Sequence, residues 1–124
     1  MKKNGDENTV RQELRLACAL ELGLNFDEML ETDDLTNVVA HIEQLDALQI
    51  RKAALIVDFL IENQLDDAAI DNLNVCLLQI KFVTMKLNGT LDWTMLQQIR
   101  QIAKQIPIEK IPKSLKEKLK MIHN

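Results

Sequence analysis

Ala53-Ala54-Leu55-Ile56-Val57-Asp58-Phe59-Leu60-Ile61 is the stretch whose reading decides the fold. Its β-branched residues would suit a strand. Two features favour a helix instead. The apolar pattern runs through residues 47–63, taking in Leu48 and Ile50, which is long for a strand, and it lacks strict alternation. Asp46 followed by Gln49 also supplies a helix cap in front of it. From Ala53 onward the segment is apolar on almost every side, the pattern of a buried helix.

The segments on either side read the same way. Asn63-Gln64 ends this third helix, and Asp66 or Asp67 starts a fourth that continues to about Leu87. In the fourth helix Leu73, Cys76, Leu77, Ile80, Val83 and Leu87 form one face, and Val75, Leu78, Phe82 and Met85 an adjacent one. Asn88-Gly89 closes it as a C-cap, because the flanking pattern is helical rather than the alternation of a hairpin. Thr90 is the expected cap of a fifth helix, with Asp92 in its first turn and a stripe of Met95, Leu96, Ile99, Ile102, Ala103 and Ile106. Pro107 ends it. Residues 107–124 read as an Ile/Pro connector and a basic C-terminal helix, opened by the capping box Ser114-Leu115-Lys116-Glu117.

Upstream, Leu35, Val38, Val39, Ile42 and Leu45 give a second helix with one buried face, introduced by Thr32-Asp33-Asp34. Asn25 with Glu28 suggests a single turn over residues 26–31. Thr9 with Gln12 forms a capping box for a first helix over residues 10–22, and Gly23 offers its C-cap. Residues 1–8 are expected to be disordered. The chain therefore reads as a single all-α domain over residues 1–124, a compact bundle of about five main helices plus a short C-terminal one. Three Gly, two Pro and no Tyr among 124 residues argue against a sandwich of many tight turns.

Charge is unevenly spread. The formal net charge is −4, yet residues 100–124 carry seven Lys or Arg against Glu109 and Glu117. Between Glu21 and Asp71 thirteen acidic residues face only Arg51 and Lys52. Three explanations are open. The basic tail packs against the acidic body and relieves its self-repulsion; the acidic face recruits a basic partner; or the tail, through Lys110, Lys113, Lys116 and Lys120, touches nucleic acid or another anionic surface. Nucleic acid is the weakest of these, because the three Phe all lie upstream and no base-stacking aromatic interleaves with the lysines.

Signatures of catalysis are missing. Gly5, Gly23 and Gly89 are too far apart in sequence for a phosphate loop, and no H-E-x-x-H, C-x-x-C or Asp-rich calcium loop occurs. His41 could act as a lone general base, sit as a partly exposed helix residue, or be satisfied at the core edge; His123 is at the end of the chain. Asp27-Glu28, Asp33-Asp34 and Asp66-Asp67 are adjacent pairs that diverge on a helix, better placed to complement helix dipoles than to share a proton. Asp58, among apolar neighbours, reads as an exposed gap, a buried partner of Lys81, Lys86 or Arg100, or a ligand. Cys18 and Cys76 read as buried reduced thiols, which suits a cytoplasmic setting. No apolar run approaches the roughly 20 residues needed to span a bilayer. No cofactor and no metal is expected.

What the chain has in excess is apolar surface. The third and fourth helices each show two apolar faces, so either they form a sandwiched central hairpin or one face meets another chain. Val75, Leu78, Phe82, Met85 and Trp93 are the candidate interface, with Trp93 read first as an anchor at the core edge and otherwise as an interface hot spot. The leading expectation is a non-enzymatic module that works by binding another protein, or itself as a homodimer. An adaptor or regulator would fit, including an immunity- or antitoxin-like inhibitor of a basic partner. The alternatives are a small-molecule-binding or enzymatic bundle with a pocket between the third, fourth and fifth helices, and nucleic-acid binding through the tail.

Overall fold

The computed structural model describes residues 3–123, with side chains from Asn8 to Ile122. Seven α-helices and no strand occur among the described residues. They are α1 (Lys3–Ala17), α2 (Phe26–Glu31), α3 (Thr36–Glu43), α4 (Ala47–Glu62), α5 (Ile70–Asn88), α6 (Trp93–Lys104) and α7 (Lys113–His123). A π-helical segment, Cys18–Leu22, continues α1, and short 3₁₀ turns, Asp67–Ala69 and Ile108–Lys110, precede α5 and α7.

Local chemistry accounts for most boundaries. The Asp46 carboxylate accepts from the Gln49 amide at 2.8 Å while Gln49 accepts from the Asp46 amide at 3.0 Å, so the expected capping box opens α4. Asn25 caps α2 by accepting from the Glu28 amide. Gly23 and Gly89 take left-handed conformations, φ +67° and +74°, and close the π segment and α5. Asp34 accepts from the Thr36 amide and hydroxyl ahead of α3, and those two bonds hold its carboxyl below the usual carboxylate range.

Three expected caps are displaced. Helix begins at Lys3 and runs through Thr9, so residues 3–8 are helical; of those residues only Gly5 is a strong helix breaker. Met1 and Lys2 lie outside the described residues. Asp92 rather than Thr90 caps α6, accepting from the Met95 amide at 3.1 Å. Ser114 lies inside α7, whose first turn is closed by the Lys116 amide on the Pro112 carbonyl. At α6 the Asp92 carboxylate, closer to the helix start, competes better than the Thr90 hydroxyl for the free amides, because the helix dipole favours its charge.

α5 is the hub. It packs against α2, α3, α4 and α6, and Leu73, Val75, Cys76, Leu78, Ile80 and Val83 are almost wholly removed from water. Two polar side chains, Asn72 and Gln79, are buried on it as well. α4 behaves differently. Ile50, Ala53, Val57 and Leu60 face α5, while Leu48, Leu55 and Phe59 point outward. The α1–π segment lies antiparallel beside α4, tied by Arg11 to the Leu65 carbonyl and the Asp66 carboxylate at one end and by Glu21 to Lys52 at the other.

Candidate functional site

Three surface regions have the shape and chemistry of a site. The first holds part of the expected interface. Val75 and Leu78 are 0% exposed and belong to the core, because α5 is covered on both of its apolar faces. Phe82 and Met85, one and two turns further along, floor an open groove of about 360 Å³ between the end of α5, the turn after it and the end of α7. Leu91, Met121 and Ile122 complete its apolar wall. Trp93 stands at the start of α6 with 70% of its surface exposed, so it is not an anchor at the core edge.

Along this groove runs a polar junction that the sequence did not reveal. Glu43 on α3 pairs with Lys86 on α5 at 2.6 Å and with Lys118 on α7. The Gln79 amide donates to Glu43 at 2.8 Å and to the Val39 carbonyl at 3.0 Å, and its oxygen accepts from Lys118 at 3.2 Å. Lys118 also sits 5.7 Å above the Phe82 ring. Burial alone would raise the Glu43 pKa; the two ammonium groups and the Gln79 amide outweigh it and hold the carboxyl at about 2. The partners lie 36 to 75 residues from Glu43 in sequence, and helical spacing carries no information over such separations.

The second region is the outer face of α4. Leu48, Leu55 and Phe59 are 54%, 71% and 39% exposed, and Lys52, between them, is neutralised by Glu21. The neighbouring α1–π segment brings Ala17 and Glu21 to a shallow pocket with Lys52 and Leu55, and its Leu16 and Leu20 are 60% and 76% exposed. Glu13, Asp58 and Glu62 are exposed on the same two helices. Asp58 is thus the exposed gap among its three readings, and its expected cations are engaged elsewhere. Lys86 binds Glu43, Lys81 donates to Gln98, and Arg100 donates to the Ile122 carbonyl at 2.8 Å.

The third region lies under the basic tail, where the expected lysines are separated. Lys110 lines a polar cavity with Glu31, Asp33 and Asp66, which brings part of the tail against the acidic body. Lys113 is exposed. Lys116 and Lys120 line an apolar pocket between α6 and α7 together with Arg100 and Lys104.

No relative emerges. Family models, characterised proteins and solved structures were all compared with the chain, and none matches. The remaining candidates are fixed by their contacts. The His41 ring donates through Nε2 to the Leu22 carbonyl at 2.7 Å and packs on Gly23, where a Cβ would lie 3.1 Å from it. The side chain of His123 lies outside the described residues. Burial pushes the Cys18 thiol up to about 11; it pushes Cys76 to about 12, with a smaller contribution from Cys18. No group of three His, Cys, Asp or Glu side chains among the described residues is placed to hold a metal. No helix among them is long and apolar enough to cross a membrane.

Proposed function

We propose that this protein is a non-enzymatic cytosolic module that binds a basic protein partner through the outer face of α4 and the adjoining π segment. One observation carries the reading. α4 has a fully apolar core face, yet it keeps Leu48, Leu55 and Phe59 in water on the opposite side. An exposed stripe of this kind, with Leu16 and Leu20 also exposed on the neighbouring segment, has the character of an interaction surface. Its surroundings choose the partner's charge. The stripe lies in the acidic part of the chain, where the exposed carboxylates of Glu13, Asp58 and Glu62 have no ion-pair partner among the described residues and outnumber Arg51, the one exposed cation of α4 that also has none there. Carboxylates around an apolar centre steer a cationic surface into contact, and apolar burial then supplies the affinity. An inhibitor that occludes a basic enzyme is one form of such a module.

Native mass spectrometry of the untagged protein, purified gently from its own cells, tests this reading. The expected species is a complex with a second, basic polypeptide, absent when Leu55→Glu and Phe59→Glu are introduced together. A lone 14.2 kDa chain, a simple multiple of it, or a complex untouched by the double substitution would overturn the proposal.

A further inference from the structure

The basic tail builds a pocket of its own, separate from the α4 stripe and opposite to it in charge. α6, the 3₁₀ turn Ile108–Lys110 and α7 enclose about 330 Å³, at the lower end of the range for small-ligand sites. The floor is aliphatic: Ile106, Ile111 and Leu119 are buried core residues, and Ile108, 70% exposed, stands at the mouth. The rim is cationic, made of Arg100 and Lys104 from α6 and Lys116 and Lys120 from α7. Each pair is spaced i, i+4, so both cations of a pair project from one helix face. No carboxylate lines the pocket, and Lys104, Lys116 and Lys120 make no ion pair among the described residues. Arg100 is partly engaged by the Ile122 carbonyl, but Lys104, Lys116 and Lys120 gather around an apolar hollow and repel one another without a carboxylate beside them in the lining.

We infer that this pocket binds a small amphipathic anion, with a short aliphatic body on the isoleucine floor and a carboxylate or phosphate head among the four cations. A nucleic-acid backbone would leave the aliphatic floor unused and would find no aromatic side chain in the lining to stack on. A cationic or neutral amphiphile would leave the rim unpaired.

Calorimetric titration of the full chain with octanoate and octyl phosphate tests the inference, with octylamine, inorganic phosphate and vesicles containing an anionic lipid as the other arms. Both octyl anions are expected to bind one per chain. Lys116→Glu with Lys120→Glu should weaken them about tenfold or more, the scale of losing charge-assisted hydrogen bonds. Ile108→Asp should weaken them too. These three positions are at least partly exposed, so the variants should keep the parent melting temperature without ligand. Glu28→Gln, exposed in the other half of the chain and outside both proposed sites, should leave the affinity unchanged. The inference is overturned if neither octyl anion binds, if octylamine binds as tightly as octanoate, or if the double substitution leaves the affinity intact. It also fails if inorganic phosphate binds as tightly as octyl phosphate, since the floor would then contribute nothing, or if vesicles alone are bound. The α4 double substitution Leu55→Glu and Phe59→Glu should not alter the titration, so partner binding and ligand binding stand or fall separately.

Discussion

α4 and α5 look alike as strings of letters and differ in what surrounds them. Both carry apolar residues on more than one face. α5 is buried on almost every side, because α2, α3, α4 and α6 all pack on it. α4 gives one face to α5 and leaves the other in water, with the α1–π segment covering only its flank. A second apolar face therefore has two meanings, and topology decides between them. On a helix with neighbours on every side it is core. On a peripheral helix it is a surface that another molecule would cover.

That difference can be broken or sharpened by experiment, beginning where the effect is largest. Leu78→Ala on α5 removes a side chain with no exposure and should cost about 3 kcal/mol in urea unfolding, from lost transfer energy plus the cavity left behind. Leu55→Ala on α4 should stay within about 0.5 kcal/mol of the parent. Equal losses at the two sites would mean that the α4 face is covered within the folded chain.

The next effect is at Glu43. Its carboxyl sits near 2 when folded against an ordinary value of 4.5, so its contribution to stability is present above about pH 4.5 and fades as pH falls towards 2. Glu43→Gln should remove this part of the acid dependence and, at neutral pH, about 1 kcal/mol, because solvent screens a side chain that is 28% exposed. Stability curves of parent and variant between pH 7 and 2 provide the check; parallel curves would contradict the assignment.

A smaller effect, in rate rather than stability, concerns the thiols. With both Cys18 and Cys76 buried and their pKa values raised to about 11 and about 12, a thiol reagent at pH 8 should label neither in the folded protein and both after denaturation. Rapid labelling of Cys76 in particular would show that α5 opens. Smallest of all, Trp93→Phe should leave stability nearly unchanged, and the parent Trp emission should already lie at a solvent-exposed wavelength.

The helices were legible because their signals are local. The Asp46–Gln49 box, the Asn25 cap, the two left-handed glycines and Pro107 each act within a few residues, and all fall at helix ends. The Thr9 and Ser114 patterns misled because a short motif of suitable residue types does not fix where helix begins; in both cases helix begins upstream. The sites were only half legible. Spacing pairs Arg100 with Lys104 and Lys116 with Lys120, yet it does not say that the two faces meet. It likewise placed Val75 and Leu78 on a second apolar face without revealing that other helices cover that face. The Glu43 junction joins three helices through contacts between distant parts of the chain, which no periodicity encodes.

The division of charge has a further consequence. From Leu78 onward nine Lys or Arg stand against three acidic residues, while the part before it carries sixteen acidic against six basic. Near pH 5.1, where the net charge vanishes, the two parts still hold opposite charge, so one molecule presents to the next a surface that attracts it. Head-to-tail contacts of this kind extend into chains wherever the rotation between neighbours does not close a ring. Salt at about 0.1 M, with a screening length of about 10 Å, weakens them. The protein should consequently be least soluble near its isoelectric point in dilute buffer, and should dissolve again when salt alone is added.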